Sequence, residues 1–241
     1  IVSVMLANNE TGVIQEVANI AEKSRKLDAL IHTDAIQAFG KIPVSFPSLN
    51  VHAMTLSSHK IYGPKGAAAL IIDKELVLRP QIFGGGHEGG LRSGTENVPA
   101  IVGFGKACEL SKLRMEKTTI HVTKLRTHLE KRLIEMGAII FGMNAARLPN
   151  TSYFALPDIE GETLVIRLER AGFLIASGAA CSSAAPGKSH VLDAMGVEPI
   201  LARCAVRLSL GNNNTLEQVN EFISALTFTV KELKRISSVM I

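Results

Sequence analysis

An α/β fold with a mainly parallel sheet, followed by a smaller α/β C-terminal domain, is the architecture this sequence predicts. Three observations carry it. Short apolar runs alternate with amphipathic helical patterns through the first half of the chain. Those runs are continuous rather than alternating, as expected of strands buried on both faces. After a long helical region, a second set of short strands and helices begins.

Residues 1–6 form the first apolar run, and the spacing of Val17, Ile20, Ala21 and Ser24 after it is that of a helix. Residues 29–31, 51–56 and 67–72 supply further strands. Residues 84–94 are a polar, glycine-rich loop. The long helical region that follows is expected to be interrupted near 116–119, after which Val122, Leu125, Leu129 and Leu133 make one apolar stripe. Strands are expected at 138–141, 151–156, 173–176 and 206–210, with a helix near 162–171. Thr215 and Gln218 have the spacing of a capping box, opening a final helix whose Val219, Phe222, Ile223 and Leu226 face inward. The domain boundary falls near residue 115, giving domains 1–115 and 116–241.

Composition narrows the function classes. Of 241 residues, 46% are hydrophobic and 20% charged, as in soluble globular proteins. The net charge of +4 is small, the 26 Lys and Arg are dispersed, and with 2 Tyr and no Trp little is available to stack on bases. A nucleic-acid partner is not expected. No apolar run approaches the ~20 residues that span a bilayer, so no membrane span is expected. The start has no basic segment or cleavage site of a signal peptide, and without an initiator Met it reads as part of a longer chain. Cys108, Cys181 and Cys204 are too widely spaced for a disulfide framework or a metal cluster. No metal site is expected, and a reducing compartment, cytoplasmic or an organelle matrix, fits best.

Lys60 stands at the end of the 51–56 run, in Ser57-Ser58-His59-Lys60-Ile61-Tyr62-Gly63-Pro64-Lys65-Gly66. A lysine held at a strand end by a tight turn can be kept partly desolvated and used as an amine nucleophile; taken alone, it reads instead as a surface lysine. Asp34 closes the preceding strand, at the carboxyl end where open α/β sheets place ligand contacts. A carboxylate there needs a cation, for which a pyridinium nitrogen would serve, or it caps the next segment. Gln37 lies three residues on, within reach of the same ring. Asn9, in Asn8-Asn9-Glu10-Thr11-Gly12 after the first strand, can bond a ring hydroxyl or stabilise a turn. Ser57 and His59 could donate to a phosphate, or His59 could be structural.

These segments, with residues 84–97, Ser177-Gly178-Ala179-Ala180-Cys181-Ser182-Ser183 and Val206-Arg207-Leu208-Ser209-Leu210-Gly211, resemble in order and through nearly the whole chain the cysteine desulfurases of the NifS/IscS group. That group consists of pyridoxal 5′-phosphate (PLP) enzymes of fold type I, related to class V aminotransferases. The resemblance implies that residues 1–115 are the C-terminal part of the PLP-binding large domain and 116–241 the small domain. It implies that Lys60 carries PLP as a Schiff base, Asp34 holds the pyridinium nitrogen, and Gln37 and Asn9 contact the ring oxygen or substrate. Ser57 and His59 would bind the phosphate, and Thr95 the phosphate of the neighbouring subunit in a homodimer. Arg207 would clamp the substrate carboxylate. Cys181, in a run of small residues, would be the sulfur carrier, on a loop similar to the group's extended form. Cys108 and Cys204 are expected in the core. The implied reaction removes sulfur from L-cysteine, giving L-alanine and a persulfide that supplies an acceptor such as an iron–sulfur scaffold or a tRNA-thiolation protein. Two alternatives stay open: a related class V PLP enzyme such as a selenocysteine lyase, and a catalytically inert interaction module.

Overall fold

The computed structural model describes residues 1–177 and 189–239, with side chains through residue 235. The chain forms two compact units, Ile1–Ala7 with Gln15–Glu116, and Asn8–Ile14 with Lys117–Ile241.

The first unit is built on a four-stranded sheet of β1 (Val2–Met5), β2 (Ile31–Asp34), β3 (Ala53–Ser57) and β4 (Ala68–Ile72), in that spatial order. β1, β2 and β3 are parallel and β4 returns antiparallel to β3. Helix α1 (Val17–Arg25) makes the crossover from β1 to β2, burying Val17, Ala21 and Ser24 while Ile20 is half-buried. Between β2 and β3 comes α2 (Phe46–Leu49), which Ser45 caps by accepting from Ser48 N at 3.3 Å, and which Asn50 ends in the left-handed region at φ 53°.

The strands are not uniformly buried on both faces, contrary to the expectation from their continuous hydrophobicity. β1 alternates half-buried and exposed residues, and β4 is largely exposed. The register gives the reason. Ile31, Thr33, Met54 and Leu56 point to the buried side, while the other side carries a polar row. In that row Ser3 Oγ lies 2.8 Å from His32 Nδ1, and His32 Nε2 lies 2.8 Å from Thr55 Oγ1.

Helix α3 (Val98–Glu135) opens with Asn97 Oδ1 accepting from Ala100 N at 3.3 Å. It runs unbroken for 38 residues, which corrects the interruption expected at 116–119. That stretch, Glu116-Lys117-Thr118-Thr119, holds no Gly or Pro. Threonine costs only some tenths of a kcal/mol relative to better helix formers, too little to break a helix anchored on both sides. Ala100, Phe104 and Ala107 are buried before it, and Val122, Leu125, Leu129 and Leu133 after it.

The second unit has an antiparallel sheet of β5 (Ile139–Ile140), β6 (Thr151–Ala155), β8 (Ala205–Ser209) and β7 (Ala176–Ser177), in that order. On one face the apolar stripe of α3 meets α4 (Gly161–Arg170) and α7 (Leu216–Val239) around Phe154, Leu164, Leu168, Val206 and Leu226. On the other face Phe141, Tyr153, Ala155, Leu192 and Cys204 cluster beside α5 (His190–Ala194) and α6 (Pro199–Arg203). β7 begins later than the strand expected at 173–176. The cause is the end of α4, where Phe173 N bonds Leu168 O and Gly172 N bonds Glu169 O, each at 2.9 Å, with Gly172 at φ +90°. This Schellman arrangement directs Phe173 onto the core, edge-on to Phe222 at 5.6 Å. Cys108 is half-buried rather than a core residue, lining a cavity of 750 Å³ with Phe39, Leu49 and Met115, whereas Cys204 is buried. Among the described residues no helix is long and apolar enough to cross a membrane.

The capping box that opens α7 is reciprocal. Gln218 N donates to Thr215 Oγ1 and Thr215 N to Gln218 Oε1, both at 3.2 Å. Thr215→Ala is expected to lower stability by about 1 kcal/mol in urea titrations. Leu226→Ala, at a fully buried site, should cost about 2–5 kcal/mol in the same measurement.

Candidate active site

Five of the residues expected at the site belong to the first unit and to the carboxyl ends of β2 and β3. Asp34 is the last residue of β2, paired in register with Thr55. Its Oδ1 accepts from Ile36 N at 2.8 Å, and its second oxygen has no partner among the described residues. One side of the carboxylate therefore orders the turn while the other is left to take a cationic donor, so the two readings of Asp34 are compatible. Gln37 follows in that turn. Its carbonyl and its Oε1 accept from Lys41 Nζ at 2.7 and 3.2 Å, leaving the side-chain NH2 available.

Ser57 ends β3, and a 3-10 turn over Ser58–Ile61 carries His59 and Lys60. With three residues per turn, Ser58 and Ile61 fall on the same side and are buried, so the two residues between them face outward. Lys60 and His59 are exposed; burial of the lysine, expected from the tight turn, is not seen among the described residues. Ser57 Oγ and His59 Nδ1 are 2.9 Å apart, so one donor hydrogen of the pair lies between them and the other is left for an anion.

The turn itself is firmly seated. Tyr62 adopts φ +66° at its end. A Cβ at Gly63 would sit 2.2 Å from Ser58 Oγ and 3.0 Å from Ala107 of α3. One turn earlier in α3, a Cβ at Gly103 would lie 2.5 Å from Pro64 Cγ. The rigid proline ring thus occupies a notch that only glycine leaves open, and Lys60 is carried on a turn fixed against a long helix.

Thr95 lies just past the glycine-rich loop and is exposed. That loop is closed on itself by Ser93 N to Ile82 O at 3.1 Å and Gly86 N to Ser93 Oγ at 3.3 Å. No bond among the described residues joins Thr95 to the Lys60 turn.

Asn9 and Arg207 belong to the second unit. Arg207, at the centre of β8, stands opposite Tyr153 of β6 and Ala176 of β7. Its Nη1 donates to the carbonyl of Asn9 at 2.7 Å. Around it lies a buried polar group that motif spacing does not reveal. Glu10 is 6% exposed and accepts from the hydroxyl of Ser189, and the Tyr153 hydroxyl lies beside them without a hydrogen bond of good geometry among the described residues. Burial pushes the Tyr153 phenol well above its ordinary range; Glu10 adds to the rise and the charge of Arg207 opposes it. Cys181 falls outside the described residues.

The donor set suits a pyridine cofactor bearing a phosphate: an amine, a carboxylate with a free oxygen, an amide donor and a Ser–His pair, gathered at one end of one sheet.

Residues 1–222 match the family described as aminotransferase class-V. A cysteine desulfurase of Bradyrhizobium diazoefficiens is 42% identical over 97% of this chain and 60% of its own length. Cysteine desulfurase IscS of Dictyoglomus turgidum is 39% identical over 98% of this chain and 61% of its own. A NifS-like protein from Rickettsia africae superposes with a TM-score of 0.89 at 37% identity, over 95% of this chain and 61% of that one. The chain thus spans about 60% of the length of the curated relatives it matches.

The seat of the lysine turn can be tested with a pair of helical glycines. Gly103→Ala should destabilise the protein by about 1–3 kcal/mol, since its Cβ would stand 2.5 and 2.9 Å from Cγ and Cδ of the Pro64 ring. Gly105→Ala, facing open space two residues on, should instead stabilise by up to about 1 kcal/mol. Denaturant titration of the two variants reads the opposite signs.

Proposed function

The chain belongs to the aminotransferase class V family, and from that premise we propose that it carries the PLP lysine and the sulfur-accepting cysteine of a cysteine desulfurase. The observation that carries the reading is the placement of Lys60 on a fixed turn at the end of β3, one strand from Asp34, whose second carboxylate oxygen has no partner among the described residues.

Lys60 would hold PLP through its amine, Asp34 would accept from the ring nitrogen, and Gln37 and Asn9 would bond the ring oxygen or substrate. Ser57 and His59 would donate to the phosphate, with Thr95 serving the phosphate of a neighbouring subunit in a homodimer. When bound, PLP supplies an electron sink that stabilises negative charge at the substrate Cα. Every other task falls to the protein. Arg207 presents a planar fork to the carboxylate of L-cysteine. The Lys60 amine, once released, takes the proton at Cα. The Cys181 thiolate attacks the substrate sulfur; an S–S bond forms, the Cβ–S bond breaks, and its electron pair stays with the three-carbon fragment. That fragment takes up protons and leaves as L-alanine. L-cysteine and an enzyme thiol thus become L-alanine and an enzyme persulfide, with atoms and electrons balanced. The sulfur then goes to an acceptor such as an iron–sulfur scaffold or a tRNA-thiolation protein.

Burial raises the thiol pKa of both Cys108 and Cys204, so each holds less thiolate at a given pH than a free cysteine. Alkylation by iodoacetamide at neutral pH is expected to mark Cys181 first, located by mass spectrometry. Cys181→Ser should abolish L-alanine production from L-cysteine while the visible absorbance of bound PLP persists, and Lys60→Ala should lose both. Alanine formation that survives Cys181→Ser would defeat the reading.

A further inference from the structure

Arg207 is aimed by something, and the chain around it shows what. The carbonyl that receives Arg207 Nη1 belongs to the peptide joining Asn9 to Glu10. The N–H of that same peptide donates to Asn8 Oδ1 at 2.9 Å. The plane is therefore gripped at both ends, by a side chain before it and by the guanidinium after it. Asn8 Oδ1 also takes Thr11 N at 2.9 Å and Thr11 Oγ1 at 3.1 Å, which closes the turn around the peptide.

The side chain leaving this peptide is the carboxylate of Glu10, and it is buried. Ser189, 4% exposed, donates to it while accepting from Leu192 N at 3.1 Å at the start of α5. The hydroxyl of Tyr153, 0% exposed, lies beside Ser189 and Glu10 and is acted on by the charges of both Glu10 and Arg207. A carboxylate withdrawn from water at such a place is costly unless its charge is used. Here the carboxylate leaves the same peptide that receives the Arg207 guanidinium.

We propose that Glu10 is a positioning residue for Arg207, its buried carboxylate, anchored by Ser189 beside Tyr153, fixing the Asn9–Glu10 peptide and so the direction in which the guanidinium meets a substrate carboxylate. This rests on the reading of Arg207 as the carboxylate clamp. It assigns Glu10, Ser189 and Tyr153 to substrate recognition rather than to proton transfer.

The test uses the PLP-loaded protein and two ligands that differ in one group: L-alanine, and L-alaninol, in which a hydroxymethyl group replaces the carboxylate. Calorimetric titration gives the ratio of their affinities, and steady-state kinetics with L-cysteine give KM and kcat. In Glu10→Gln the preference for L-alanine is expected to fall about 10-fold with alaninol binding unchanged, and KM to rise similarly with kcat held within about 2-fold. If Glu10→Gln does not fold, Ser189→Ala should show the same loss and Ser189→Thr, which keeps the hydroxyl, should restore the preference. An unchanged ratio in Glu10→Gln or Ser189→Ala, alongside a lost ratio in Arg207→Ala, refutes the positioning role and leaves the clamp intact. An unchanged ratio in Arg207→Ala removes the clamp, and the inference with it. Equal weakening of both ligands would mean general damage to the fold and would also overturn it.

Discussion

In the second unit, much of the order traces back to one buried ion pair. Arg147 faces Glu130 of α3 with two parallel bonds, Nη1 to Oε1 at 2.8 Å and Nη2 to Oε2 at 2.9 Å, and its side chain is 5% exposed. Such a pair adds little net stability when complete, but losing one partner strands a charge at a cost of about 3–5 kcal/mol. Its value here is geometric. Arg126, one turn before Glu130, donates to the carbonyl of Leu148, so α3 grips this loop at two points. Arg147 bridges to Val13, Ile14 N bonds Ala146 O, and Leu148 N bonds Gly12 O, the last two at 2.8 Å. The Asn8–Ile14 segment is thereby held as an extra edge, and the Asn9 carbonyl reaches Arg207 from it. A salt bridge on a helix thus fixes, through two stretches of backbone, the arginine proposed to select the substrate.

The first unit uses a different device for its own chemistry. Among the described residues no ion pair fixes the Lys60 turn. Steric fit does the work instead, with Pro64 in the notch at Gly103 and Ile61 against Gly40, where a Cβ would meet Ile61 Cγ2 at 2.6 Å. The two means suit the residues they serve. A guanidinium that must point in one direction is held by hydrogen bonds, which are directional. The Lys60 amine, proposed to hold a cofactor, is exposed, and only the backbone beneath it is clamped.

What was legible in the sequence was what is local. The α7 capping box, the Val122 to Leu133 stripe, and the strand-end placing of Asp34 and Lys60 each depend on residues a few positions apart. The failures have equally particular causes. The interruption expected in α3 near 116–119 does not form, because the propensity cost of Thr118 and Thr119 is far below what burial on both sides returns. The apolar runs of the first sheet hid a polar row, because only the pairing of Ser3 with His32, and of His32 with Thr55 across the next strand, shows that they share a side. Glu10 and Ser189 lie 179 positions apart, and neither carries a spacing signal that could have joined them. Long-range polar pairs of this kind are written in topology, which a single sequence does not display.

That polar row has a property of its own. His32 sits between two hydroxyls, each 2.8 Å from one of its ring nitrogens. A neutral imidazole has one N–H and one lone pair, so one hydroxyl must give and the other receive. Swapping the tautomer reverses the direction of the whole row with rotation of two O–H bonds and no movement of carbon or nitrogen. Three side chains across three strands therefore form a seam whose hydrogen bonds can run in either direction, keeping the parallel strands in register in either tautomer of the histidine between them.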